Sequence, residues 1–138
     1  MKFLSRRLVM PEDLNYAKTL FGGRAMAWID EEAAIYVICQ LGSKYIVTKH
    51  IGAISFENAA TEGDVVEFGL STKAVGRTSI TVSCLLRNKF TGKTICSVDE
   101  MVFVKVNPET RLPEPHGKTL EDLEEQTMES LRKLNIGV

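Results

Sequence analysis

Between Gly22 and Leu41 apolar residues recur at helical spacing, and over much of the chain that follows they recur at a spacing of two. The first pattern predicts a helix of about five turns. Gly22-Gly23 opens it and Gly42-Ser43 closes it, as glycine commonly does at helix C-termini. Placed at about 100° per residue, Met26, Asp30, Ala33, Val37 and Leu41 share one stripe less than about 90° wide. Asp30 is therefore expected at the centre of an apolar face, with Glu31 and Glu32 turned away from it.

Residues 2–9 mix apolar and basic positions and predict a first strand. The polar segment 11–19 has no period and serves as a loop leading to the helix. After the helix, residues 45–56 are rich in β-branched and aromatic side chains but too long for one flat strand. Gly52 there predicts a bulge or a close approach of backbones. Residues 57–64 form a turn. Val66, Phe68, Leu70, Thr72 and Ala74 then alternate as a half-buried strand requires. Gly76-Arg77 makes a tight hairpin, and Ile80, Val82, Cys84 and Leu86 line the returning strand. Asn88 to Lys93 is a second hairpin connection, followed by a last strand from Thr94 to Val106. Pro108, Pro113 and Pro115 interrupt regular structure. Thr119 then caps a C-terminal helix over about 118–134, with an acidic face opposite Leu120, Leu123, Met128, Leu131 and Leu134.

This order predicts a single α+β domain spanning 1–138. A long helix that is apolar over much of its circumference cannot be buried by loops, whereas an antiparallel sheet of five to six strands can wrap it. One sheet edge and one helix flank remain bare, so at least a homodimer is expected.

Charge narrows the partners. With 17 basic and 18 acidic residues the chain has a formal net charge of −1, no field for nucleic acid or an anionic membrane. Cys39, Cys84 and Cys96 show neither C-x-x-C nor Cys–His spacing, so no metal site is expected. All three fall in apolar-patterned segments and are expected as buried thiols in a reducing compartment. The N-terminus has no apolar core or cleavage site of a signal peptide, and Arg24, Asp30, Glu31 and Glu32 exclude a membrane span through the helix. A soluble, cytoplasmic protein is expected.

Five places could carry chemistry. Asp30 loses hydration if buried, so it needs either a structural partner or a task. The helix start at Gly22 and Gly23 offers free N–H groups and a positive dipole end to an oxyanion, although two glycines also make an ordinary helix start. Asn15, just upstream, can orient water or a carbonyl or simply build a turn. The hairpin tip Gly76-Arg77-Thr78-Ser79, flanked by Lys73, can bind phosphate or stand solvated. His50 and His116 have no Ser, Cys or Asp spaced for nucleophile activation and read as structural or surface residues.

Met10-Pro11-x-Asp13-x-Asn15 followed by Phe21-Gly22-Gly23-x-x-Met26-x-x-x-Asp30-x-x-Ala33 resembles the signature of hotdog-fold acyl-CoA thioester hydrolases, of the bacterial YciA and brain acyl-CoA hydrolase type. Val47-Thr48, Phe56, Gly63-Asp64 and Gly76 to Ser79 follow in the same order. The chain departs from that pattern at Ala17-Lys18-Thr19 and at Asn58-Ala59-Ala60.

The resemblance implies hydrolysis of acyl-CoA to free acid and CoA without metal or organic cofactor. It implies Asp30 as base or nucleophile, Asn15 positioning water or carbonyl, and Gly23 with Gly22 polarising the thioester oxygen. It implies further that Asp and Asn come from different subunits, that Gly76 to Ser79 lies near the CoA phosphates, and that dimers assemble as trimers. Two other functions are compatible with such a fold. A hydratase would call for a histidine on the helix, which is absent. A non-catalytic acyl-CoA binder or sensor would have no need of a desolvated carboxylate.

Overall fold

The computed structural model describes residues 1–123. Its elements are β1 (Lys2–Leu8), a 3-10 turn (Pro11–Asp13), α1 (Gly22–Leu41), β2 (Ile46–Ile51), β3 (Ile54–Phe56), β4 (Val65–Val75), β5 (Ser79–Asn88) and β6 (Thr94–Lys105). The strands form one antiparallel six-stranded sheet in the order β1-β4-β5-β6-β2, and β3 also pairs with β6. α1 packs against this sheet, the helix-and-wrap arrangement the residue pattern predicts.

The segment predicted as one bent strand is two. β2 pairs with Met101 to Lys105 and β3 with Cys96 to Val98, so both lie along the same edge of β6. Gly52 stands at the break. Its N–H donates to the Glu100 carbonyl at 2.8 Å, and a Cβ at this position would sit 3.1 Å from that oxygen. Close backbone approach is what selects glycine here.

α1 ends as expected, with Gly42 in the left-handed conformation (φ 67°) and its N–H bonded to the Ile38 carbonyl at 2.8 Å. Its buried face shares Ala33, Val37 and Leu41 with the predicted stripe but departs from it at Met26 and Asp30. Ala25, Trp28, Ile29, Ala33, Val37 and Leu41 are buried, whereas Met26 is exposed and Asp30 half-buried on the flank. The helix is apolar nearly all round, with Ile35 also exposed, so periodicity gave little contrast from which to orient it.

Cross-links from β1 set that orientation. Arg7 bonds Glu32 at 2.9 Å and Glu31 at 3.0 Å, and the Ser5 hydroxyl donates to Glu32 at 2.7 Å. The Arg7 guanidinium lies over the Trp28 and Phe68 rings, which meet edge to face. Trp28 is thereby held against the sheet, and Asp30 is carried to the other side of the helix.

On the outer side of the sheet, Glu67 is buried between Arg87 (2.8 Å) and Arg6 (3.4 Å). Burial pushes its carboxyl pKa up, but the hydrogen bonds and charge of Arg87, aided by Arg6 and Lys89, outweigh this and hold it below the ordinary 4.5. Cys84 and Cys96 are buried as expected, and burial raises their thiols to about 12 and about 11. Cys39 is exposed, against expectation: it follows Trp28 and Ile35 along one line of α1, and that line is already uncovered at Ile35.

After β6 the chain returns across the sheet end as a proline-rich strap. Thr119 then caps a helical turn at 120–123, its hydroxyl accepting from Asp122 N–H at 3.2 Å while Asp122 accepts from Thr119 N–H at 2.9 Å. The remainder of the expected C-terminal helix lies outside the described residues.

Candidate active site

The segment before α1 is built by its own side chains. Asp13 accepts from the Met10 N–H at 2.9 Å and pairs with Arg24 in the first turn of the helix at 3.4 Å. Its backbone carbonyl receives the Phe21 N–H at 2.9 Å. Two residues on, Asn15 closes a compact loop. Its Oδ1 accepts from the Ala17 and Thr19 N–H groups at 2.9 and 3.2 Å, and its Nδ2 donates to the Thr19 hydroxyl at 3.1 Å. The amide oxygen is therefore committed to the loop, and only an N–H of the amide remains for a ligand.

That loop delivers the chain to an uncapped helix start. Phe21 is the N-cap residue, no side chain caps the helix, and no acidic residue occupies its first turn. The N–H groups of Gly22 and Gly23 consequently have no acceptor among the described residues. A Cβ on Gly23 would stand 2.7 Å from the Phe21 ring, and one on Gly22 would stand 3.5 Å from Phe56. Asn15, Gly22, Ala25, Phe56, Ala60 and Ile95 are among the residues lining an open cleft of about 370 Å³. Its walls are mostly apolar, and its polar groups include those able to hold a developing oxyanion.

Asp30 does not line this cleft. It sits about two turns farther along α1, where the Thr48 hydroxyl of β2 donates to its Oδ1 at 2.8 Å. Thr48 is followed by a bulge, since Thr48 pairs with Phe103 and His50 with Val102, leaving Lys49 unopposed. Such irregularities re-aim neighbouring side chains. In the sequence Thr48 stands out only through the Val47-Thr48 match to the family pattern, with no role attached. A hydroxyl beside the helix at an edge strand is visible only once β2 is placed against α1.

The third candidate region lies at the far end of β4. Gly76 N–H bonds the Ser79 carbonyl at 2.9 Å, and a Cβ on Gly76 would run into the Ser79 hydroxyl. Arg77 and Lys73 are exposed and have no acidic partner among the described residues. Lys73 is the extra residue of a second bulge, between Thr72 and Ala74. The structure thus brings Asn15 and Gly22 together, with Gly23 beside them, and keeps Asp30 and the Gly76–Ser79 turn apart from that cleft.

A cleft at an uncapped helix start, on a helix wrapped by an antiparallel sheet, defines a hotdog-fold enzyme. The sequence profile of the Thioesterase superfamily matches residues 17–95, and the chain belongs to that family. The chain is 30% identical over 122 residues to an uncharacterized acyl-CoA thioester hydrolase of Buchnera aphidicola subsp. Baizongia pistaciae, an alignment covering 81% of this chain and 90% of the relative. An apo-hexameric acyl-CoA thioesterase of known structure superimposes with a TM-score of 0.72 at 31% identity, over 95% of this chain and 87% of the other. A hexameric hotdog-fold thioesterase of Campylobacter jejuni does so with a TM-score of 0.71 at 25% identity, over 88% and 92%.

Proposed function

We propose that the chain hydrolyses acyl-CoA thioesters to the free carboxylic acid and CoA, at sites formed between two copies. The observation that carries this reading is the split of the machinery. Asn15 and Gly22, with Gly23 beside them, belong to one cleft, and the carboxylate stands about two turns farther along the same helix, outside that cleft and against β2. One copy supplies Asp30 and the other supplies Asn15, Gly22 and Gly23. The bare edge of β2 and the exposed Met26, Val47, Phe21 and Phe56 near these groups favour a second copy as the covering surface. The hexameric relatives support further assembly as a trimer of dimers.

In this mechanism the thioester oxygen accepts from Gly23 and Gly22 N–H, which gain strength as negative charge develops on it. Asn15 Nδ2 holds the water or the carbonyl as a donor. Thr48 binds one carboxylate oxygen of Asp30, leaving the other to take a proton from water as it attacks the carbonyl carbon. The tetrahedral adduct then expels the CoA thiolate. Asp30 as nucleophile would instead form a mixed anhydride that water cleaves. The reaction needs no metal or organic cofactor, since CoA enters and leaves as part of substrate and product. The exposed Arg77, with Thr78, Ser79, Gly76 and Lys73, serves the phosphates of CoA.

Free-thiol release from a panel of short to long acyl-CoAs, with wild type beside Asp30→Asn, tests the proposal. Removing the general base while keeping side-chain size should cost at least about a hundredfold in rate. CoA binding without turnover of any chain length would instead establish an acyl-CoA binder. Single turnover in ¹⁸O-water separates the two roles: label in Asp30 means nucleophile, and label only in the product acid means base.

A further inference from the structure

The Gly76–Ser79 turn does not stand alone; the strap that follows β6 ties it down. Lys105 N–H donates to the Thr78 carbonyl at 2.8 Å, and His116 N–H donates to the Arg77 carbonyl at 3.2 Å. The His116 ring bonds the Ser79 carbonyl through Nε2 at 2.9 Å, while its Nδ1 accepts from the Lys118 N–H at 3.0 Å. These partners assign the ring its tautomer: Nδ1 is bare, and Nε2 carries the hydrogen donated to Ser79. The strap is anchored in turn by Glu114 N–H to the Lys105 carbonyl at 2.9 Å and by a bridge between Val106 and Pro113.

Three successive carbonyls of the turn are thus occupied by donors from outside it. An unoccupied carbonyl presents negative charge to an approaching phosphate, so tying up all three removes repulsion at the place where Arg77 needs an anion. The same ring holds the backbone of Lys118, whose ammonium lies within electrostatic reach of Asp122 but forms no close ion pair among the described residues.

We infer that His116 is a positioning residue for CoA recognition, clamping the Gly76–Ser79 turn in its anion-receiving conformation and carrying Lys118 to the same end of the sheet. The inference rests on the proposed role of that turn toward the CoA phosphates. It assigns a task to a residue that the sequence alone marks as structural or surface.

The test uses the full-length protein and three variants: Arg77→Ala, His116→Ala and His116→Gln. The Gln amide nitrogen can replace the Nε2 donor to Ser79. Two readouts are taken: the ratio of kcat/KM for an acyl-CoA to that for the matching S-acyl-pantetheine, and binding of adenosine 3′,5′-bisphosphate by calorimetry. His116→Ala should lower the ratio about 5- to 10-fold, with the loss in KM, and weaken the bisphosphate by a similar factor. His116→Gln should recover most of both. If Arg77→Ala moves both readouts and His116→Ala moves neither, the clamp is wrong and the turn's role stands. Equal loss on both substrates in His116→Ala, with bisphosphate binding intact, would make the ring a fold contact and overturn the inference. If Arg77→Ala also leaves both unchanged, the assignment of the turn to CoA phosphates fails, and the clamp with it.

Discussion

Asn15 builds its loop and, in the proposed mechanism, also serves the substrate, and one substitution separates the two. Its Oδ1 holds two backbone N–H groups, at 2.9 and 3.2 Å, that the loop cannot otherwise satisfy. Its Nδ2 is the part left for substrate or water. Asn15→Ala removes both functions. At roughly 0.5–1.5 kcal/mol per hydrogen bond, losing the two backbone acceptances should cost about 1–3 kcal/mol. For a chain of this size that is a fall of roughly 3–12 °C in Tm, compared at equal protomer concentration because assembly contributes to Tm. Asn15→Asp keeps an acceptor oxygen where Oδ1 stands, so its Tm should stay within about 2 °C of wild type. It loses the N–H donor and places a negative charge beside the helix start, so its kcat should fall at least about tenfold. Differential scanning fluorimetry and thiol release on the same preparations measure the two effects. A fully active Asn15→Asp would refute the donor role and leave Asn15 as a loop builder alone. An Asn15→Ala with unchanged Tm would refute the loop accounting.

The Glu67 carboxyl is held below 4.5 in the folded state, so its contribution is complete above that ordinary value and is lost as pH falls through the lower folded value. Glu67→Gln should therefore be less stable than wild type at neutral pH and approach it in acid, as melts from pH 7 to pH 3 would record. Cys84 and Cys96, at about 12 and about 11, should not react with Ellman's reagent at pH 8 in the folded protein, whereas exposed Cys39 should. One thiol per chain is expected before denaturation and all three after. Gly23→Ala pushes a methyl into the exposed Phe21 ring, which can swing aside. Stability should hold or rise by up to about 1 kcal/mol, from the helix preference of alanine, while kcat falls.

The strand periods made the sheet legible in the sequence, because a buried face at every second residue leaves little ambiguity in β4, β5 and β6. The helix was legible as a helix, and its rotation only in part. The predicted stripe is buried at Ala33, Val37 and Leu41, but the buried face is turned toward Ala25, Trp28 and Ile29, leaving Met26 and Asp30 at its margin, with Arg7 and Ser5 engaging Glu31 and Glu32 from β1. No local pattern encodes that contact, which joins residues far apart in the chain. Asn15, Gly22 and Gly23 were legible as neighbours because they are close in sequence. Thr48 beside Asp30, and His116 on the Gly76–Ser79 turn, depend on strand placement and on the course of an aperiodic proline-rich segment. Neither leaves a signature in composition or spacing.

In the proposed two-chain site, the separation of Asp30 from the Asn15 cleft has a genetic consequence. A site that draws its carboxylate from one chain and its amide from another can be repaired by mixing two dead proteins. A subunit carrying Asp30→Asn still offers a sound Asn15, and one carrying Asn15→Asp still offers a sound Asp30. Co-expressed in equal amounts and paired at random, half of the dimers are mixed, and each mixed dimer has one intact site and one doubly broken site. About a quarter of all sites should then work, from two parents with almost none. Against a wild-type copy the same arithmetic gives no dominance: half of all sites still work, as they would without mixing, because with only one of the two residues mutated every sound copy of it meets a sound counterpart on the other chain.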